Sequence, residues 1–311
     1  MTLLAAMGRS RGNHAPDPPL SARSGYLRLV SYLAPGIPAA VYELLAARIG
    51  ADLGTGASLV LETRTSGPPP DGPDPFEAAE VDVGFLCAPT YCWLRDSRTK
   101  SAAAASNRPS RSSVELVPAA PVFDDPRVEG RPVYLSDVVV RSSSSVSAFE
   151  QLRGKIWAYN DPCSLSGWLS LVRKLGEPAA PARFFGSVVE SGSHRESLRR
   201  VAAGEADAAA IDSNVLALAL RADAELGSRL RVIESWGPFP IQPVVVRSAL
   251  DPVLKRRLAR SLLALHQDPP TRRALARFGV VRFAPVTEAD YLGDGEAARR
   301  ASRADAVLTA G

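Results

Sequence analysis

"AYNDPCSLSGW", residues 158–168, decides how the chain reads. A turn, Asn160-Asp161-Pro162, precedes two serines, Ser164 and Ser166, and then Gly167. The apolar-periodic run WLSLVRKLG follows and predicts a helix. Ser164 falls at the N-cap of that helix. Ser166 and Gly167 then occupy its first turn, where backbone N–H groups have no intrahelical partner. The helix dipole adds partial positive charge at the same place, and a glycine leaves the backbone open to close approach. Hydroxyls and free amides aimed at one point make a cradle for an anion's oxygens, with Tyr159 and Asn160 beside it. The competing reading is a plain capped helix after a turn.

A second helix mouth lies downstream in "GSHRES". Ser193 and Glu196 have the spacing of a capping box, which opens the helix RESLRRVAAG and puts His194 at its positive end. There an imidazole can donate to an anion's oxygen, and as imidazolium it would do so more strongly at low pH. A surface histidine on a capped helix fits the same pattern. Asp212 ends the strand DAAAID, where an open α/β sheet presents side chains to its ligand crevice. Its carboxylate can hold a ligand amine or hydroxyl, orient His194, or simply cap the next helix. Among the earlier strand-to-helix turns, SYLAPG and APTY bring Tyr32, Thr90 and Tyr91 forward as the opposing wall, with Tyr91 equally suited to a core.

Strands alternate with helices along nearly the whole chain, which predicts an α/β fold with mostly parallel strands. The chain leaves one such unit near 138–142 and returns near 240–246. Two lobes joined by two crossing strands would enclose a cleft. The expected organisation is a disordered leader (1–25), a first lobe (26–140 with 241–292), a second lobe (141–240) and a tail (293–311). The low-complexity stretch 97–113 is expected as an exposed insertion in the first lobe. A strand is expected over 58–65 and a short helix at the start of FEAAEVDVGF.

Composition narrows the function. The chain has 311 residues, 46% of them hydrophobic, and a net charge of only +4 with no dense Lys/Arg tract, so no nucleic-acid groove is indicated. Cys87, Cys92 and Cys163 give neither a disulfide framework nor a zinc spacing, and no metal or cofactor is expected. No G-x-S-x-G, Walker A or H-E-x-x-H motif occurs, so no catalytic residues are assigned. No run of 18 apolar residues is present, and LLAAM near the start is too short for a secretory h-region. On these signals the chain as written is expected to be cytoplasmic, or periplasmic if its true start lies elsewhere.

Three segments in this order, VFDDPRVEGRPVYLSDVVVR, AYNDPCSLSGW and SGSHRESLRRVAAGEADAAAIDS, resemble the phosphate/phosphite/phosphonate-type substrate-binding proteins of ABC transporters. The similarity runs from about residue 27 to 292, omitting 97–113. It implies a type II periplasmic-binding-protein fold, two α/β lobes with a two-strand hinge, closing on a small ligand. It also implies that the serines and amides of 164–167 hold ligand oxygens, with His194 assisting and the first lobe closing over them. One departure is Leu165, at a place where characterised phosphonate binders often carry Thr. Another is the lack of the signal peptide or lipoprotein cysteine that exported members carry. The function expected is non-enzymatic binding of a phosphate- or phosphonate-like oxyanion by a monomer, with an ABC permease as partner. The alternatives are a cytoplasmic sensor of the same fold and, behind it, an enzyme on this fold.

Overall fold

The structure, a computed structural model, describes residues 26–34, 36–69, 72–101, 112–177 and 180–291, with 97–101 in backbone only. The expected leader, the tail and residues 102–111 of the expected insertion lie outside the described residues.

In chain order the elements are β1 (Tyr26–Ser31), α1 (Ala39–Leu53), β2 (Gly56–Leu61), β3 (Val83–Phe85), α2 (Ala88–Ser101), β4 (Val114–Leu116) and β5 (Ala120–Phe123). A 3-10 turn, Pro126–Val128, leads across to β6 (Val133–Arg141) and β7 (Ile156–Tyr159). A π-helical turn, Leu165–Leu169, runs into α3 (Ser170–Leu175), followed by α4 (Ala180–Phe184), β8 (Ser187–Glu190), α5 (His194–Ala203) and β9 (Ala208–Asp212). Next come α6 (Ser213–Ala222), α7 (Ala224–Arg229), β10 (Leu230–Pro240), β11 (Val244–Arg247), α8 (Pro252–Ala264), α9 (Pro269–Ala276) and β12 (Val280–Ala284).

Two five-stranded sheets result. The first has the order β2-β1-β3-β11-β4 and the second β10-β6-β9-β7-β8, while β5 and β12 pair by themselves. The strands are not mostly parallel. Each sheet has a three-strand parallel unit, β2-β1-β3 or β8-β7-β9, extended by antiparallel strands. The reason is the double crossing: β6 and β11 each enter a sheet from the other side, so each runs against the unit it joins. The two crossing segments are tied where the Ile241 N–H donates to the Pro132 carbonyl at 3.1 Å.

Local chemistry sets the boundaries. α1 buries Val41, Tyr42, Leu45, Ile49 and Leu53 at helical spacing and ends on Gly54 in the left-handed region, φ 67°. β2 stops at Leu61, short of the expected strand end, and releases Thr65 and Ser66 into a turn. Residues 76–80 form turns rather than a helix. The Glu80 and Val81 N–H groups both donate to the Pro75 carbonyl, which closes the turn instead of propagating it. α2 continues to Ser101, into the stretch expected as an insertion, and Ser113 at its far end is built into the fold, its carbonyl accepting from the Ser248 N–H.

Packing in the second sheet brings the helix mouths forward. β9 presents Ala208, Ala209 and Ala210, all buried, and α5 and the π turn both pack against it. Methyl side chains let those two elements sit close to the sheet and to one another. Behind them Phe149, Trp157, Phe185 and Trp236 form an aromatic cluster, with Trp157 and Phe185 ring centroids 5.0 Å apart. In the first sheet the fully buried Asp82 carboxylate joins three strands. It accepts from the Arg28 N–H at 3.0 Å and from the Arg247 guanidinium at 3.0 Å. Asp82→Asn leaves the Arg247 guanidinium half-paired. It is expected to destabilise the protein by about 3–5 kcal/mol in chemical denaturation, the usual cost of breaking a buried ion pair from one side.

Candidate functional site

Three helix N-termini of the second sheet meet at one place. Ser164 caps the π turn, its Oγ accepting from the Gly167 N–H at 3.1 Å. Ser193 caps α5, its Oγ accepting from the Glu196 N–H at 3.1 Å. Asp212 caps α6, its Oδ1 accepting from the Asn214 and Val215 N–H groups at 2.8 and 3.3 Å. All three line one cavity of about 40 Å³, together with Asn160, Ser166 and His194. Opposite them stand Tyr32, Leu33, Gly36 and Ile37 from the turn after β1, Thr65 and Ser66 from the turn after β2, and Cys87 after β3. The carboxyl ends of both parallel units thus face each other, as expected for ligand crevices in α/β sheets.

The centre of the site is a hydrogen bond between Ser166 Oγ and His194 Nε2, 3.1 Å long, which ties the π turn to α5. The Ser166 carbonyl accepts from the Ser136 and Ser170 hydroxyls at 2.8 and 2.6 Å, fixing the turn from behind. Gly167 is required by contact. A Cβ there would lie 1.7 Å from Asn160 Oδ1 and 3.3 Å from His194 Cε1. His194 Nδ1 and Asn160 Oδ1 are buried and unpartnered among the described residues. Buried polar atoms normally have a partner, so these two orphans make the cavity a candidate site for a ligand. No group of three or more His, Cys, Asp or Glu among the described residues could hold a metal ion.

Burial tunes the ionisable groups. It pulls the His194 imidazole down to about 3, so the ring is neutral at physiological pH. This corrects the expectation of an imidazolium contact. Burial also pushes Asp212 up to about 6, against the hydrogen bonds from Asn214, Gln242 and Val215 that favour its charged form. Tyr32 rises to about 12, again by burial, and remains a neutral donor.

Contacts cross between the two walls. Thr65 Oγ1 donates to Asp161 Oδ2 at 3.3 Å, Gly36 packs against Val215, and the Gln242 amide, on the second crossing segment, donates to Asp212 Oδ2. Of the residues expected from sequence, Tyr32, Asn160, Ser164, Ser166, Ser193, His194 and Asp212 line the cavity, and Gly167 lies directly behind it. Three lie elsewhere. Tyr91 is fully buried, edge-on to Tyr291, and Thr90 packs under Gly67. Tyr159 turns away to pack on Trp168 at 4.5 Å and to reach Glu190. The alternation of β7 explains the last case, since successive side chains face opposite ways. Thr65, Ser66, Cys87 and Gln242 went unnoticed in the sequence. Thr65 falls inside the strand expected over 58–65, and Gln242 carries no local signal beyond its flanking Ile241 and Pro243. A more voluminous depression, about 840 Å³ beside β4 and α8, is an open surface hollow whose Lys255 and Glu115 pair with each other at 2.8 Å. Among the described residues, Ser248 Oγ is the one orphaned buried polar atom in its lining.

A model of the ABC-transporter phosphonate periplasmic substrate-binding proteins matches residues 74–291, well over half of the chain. Among solved structures, the chain is similar to a binding-protein component of an ABC phosphonate transporter from Pseudomonas aeruginosa. That match has 17% identity and a TM-score of 0.71, over 90% of this chain and 88% of that one. A Prochlorococcus marinus protein in complex with methylphosphonate matches at 16% identity and a TM-score of 0.68, over 88% and 97%. A Xanthomonas citri protein bound to ATP matches at 18% and 0.60, over 91% and 98%. At these identities the likeness shows the fold, which is that of the type II periplasmic binding proteins.

Two outcomes follow from this geometry. Gly167→Ala forces Asn160 and the π turn apart and is expected to lower stability by about 1–3 kcal/mol in thermal or chemical unfolding. The buried base and the buried acid give opposite pH slopes. Between about 3 and 6.5 the unfolded chain binds a proton that folded His194 refuses, so that contribution to stability is lost as pH falls. Between 3.8 and about 6 folded Asp212 keeps a proton that the unfolded chain has released, so its contribution is lost as pH rises. Melting midpoints measured from pH 3.5 to 8 are expected to show His194→Gln losing less than wild type on the acid side. Asp212→Asn is expected to gain most above pH 6.

Proposed function

The chain belongs to the phosphonate periplasmic substrate-binding proteins of ABC transporters, and from that premise we propose that it binds a small phosphorus oxyanion, phosphate- or phosphonate-like, in the cavity between its two sheets. The observation that carries this reading is the convergence of two serine-capped helix mouths on the Ser166–His194 pair. Each capping hydroxyl accepts from its own helix and keeps its proton to donate outward. Backbone amides of the first turns add donors and partial positive charge. Neutral His194 contributes a ring N–H or a lone pair, according to the tautomer that Ser166 selects, and not a full charge.

Residues 26–140 with 241–292 act as one lobe and 141–240 as the other, and closure about the crossing segments brings Tyr32, Thr65 and Gln242 onto the ligand. The protein presents the closed form to an ABC permease in the periplasm. No helix among the described residues is long and apolar enough to cross a membrane. Binding is favoured over turnover by one physical argument. Ser166 and His194 have the spacing of a nucleophile and its base, but an imidazole held near 3 is too weak a base to activate a hydroxyl at neutral pH.

The test is calorimetric titration with inorganic phosphate, phosphite and simple phosphonates. Each serine contact to a charged oxygen is worth about 1.5–3 kcal/mol. Ser164→Ala/Ser166→Ala is therefore expected to abolish measurable binding, while loss of the Ser164 cap lowers stability by only about 1 kcal/mol. His194→Ala is expected to weaken binding by the same factor at every pH from 5.5 to 8.5. Unchanged affinity in the double variant would remove these helix mouths from the site.

A further inference from the structure

Positive charge is spread unevenly along the chain. Residues 251–282 carry eight Lys and Arg against two Asp, a surplus of six where the whole chain has a net charge of +4. α8 holds half of those cations, and Lys255, Arg256 and Arg260 among them line the hollow of about 840 Å³ beside β4. Lys255 is held by Glu115 at 2.8 Å and by the Ser248 carbonyl at 2.7 Å. Arg257 reaches the other way, to the Asp52 and Leu53 carbonyls. Arg256 and Arg260 sit one turn apart and exposed, and neither has an acidic partner among the described residues. Below these charges the floor is apolar, with Leu116, Val117, Val246, Leu250 and Ala259, and it holds the unpartnered Ser248 Oγ. β4 pairs only with β11, so the far edge of the hollow is an unpaired strand edge.

Exposed arginines by themselves make only a solvated face. These two stand over a recessed apolar floor, and an apolar side chain flanked by carboxylates complements both features at once. We propose that the hollow between β4 and α8 is a docking site for an acidic segment of a partner protein, which seats an apolar side chain on the floor beside Ala259 and sets carboxylates on Arg256 and Arg260. A bilayer of anionic lipid matches the charge but is flat, and leaves the recessed floor empty. A nucleic acid matches it too, but among the described residues no aromatic side chain lines the hollow for a base to stack on. Val246 pairs with Val83 and Val244 with Phe85, so Ser248, Ala249 and Leu250 lie past the amino end of β3, whereas the oxyanion cavity lies at its carboxyl end. The docking site is therefore occupied with or without an oxyanion.

The test is fluorescence anisotropy of a labelled peptide, Glu-Glu-Leu-Glu-Glu-Leu-Glu-Glu, with the full chain in about 0.15 M salt, where exposed charges more than a Debye length apart are largely screened. Saturable binding is expected. Replacing the leucines by glycine is expected to weaken it by about tenfold or more, the loss of a buried leucine side chain. Arg256→Glu/Arg260→Glu is expected to weaken it about tenfold, and Arg272→Glu/Arg273→Glu, the same change of charge on α9, by less than about twofold. Ala249→Trp fills the exposed side of the hollow without altering charge and is expected to remove the advantage of the leucine peptide over the glycine one. These surface variants should melt with the wild type, so that a lost affinity reads on docking. Absence of saturable binding, equal losses from the two arginine pairs, or indifference to both the leucines and Ala249→Trp overturns the site. So does tighter binding to phosphatidylglycerol vesicles or to single-stranded DNA than to the peptide at the same salt.

Discussion

The 3.1 Å hydrogen bond between Ser166 and His194 can exist only because three conditions around it are met. The π turn has to lie beside the start of α5, which the all-alanine stretch of β9 allows by giving both elements a flat, shallow surface to rest on. Position 167 has to lack a side chain, because Asn160 already occupies the place a Cβ would take. The Ser166 carbonyl has to be held from behind, and Ser136 and Ser170 do so. Each condition is met by a residue whose reason is invisible without the others.

From that bond the electrostatics of the cavity follow. Taking His194 out of water makes it neutral, and taking Asp212 out of water raises it to about 6, although three hydrogen bonds oppose the rise. The cavity therefore offers a ligand dipoles, hydroxyls and amides rather than full positive charges. On the proposed function, such a set of directed donors suits reversible capture. Gln242 sits on one of the crossing segments and holds Asp212 across the cavity.

Much of this was legible in the residues. The N-cap roles of Ser164 and Ser193 follow from local spacing, because a helix cap involves atoms within three residues of one another and needs no tertiary information. The α/β alternation and the return of the chain near 241 also follow from pattern. For Asp212 the pattern left capping and ligand contact as rivals, and in the structure the residue caps α6 while its carboxylate lines the cavity. Thr90, Tyr91 and Tyr159 show the opposite case. Each lies close in sequence to a strand-to-helix turn, yet side-chain direction and core packing turned all three away from the cavity.

The sequence by itself determined which helix ends could receive an anion, since the hydroxyls, the glycine and the capping box are local signals acting over one helical turn. It also determined the class of fold and the family to which these segments are related. Only the tertiary structure decided that these ends meet, that His194 is neutral, and that Thr65, Ser66, Cys87 and Gln242 join them. The physical reason is the same in each case. Convergence, burial and the mixed direction of the strands arise from contacts between residues tens to more than a hundred positions apart, and a pattern that repeats every two or four residues carries no record of them.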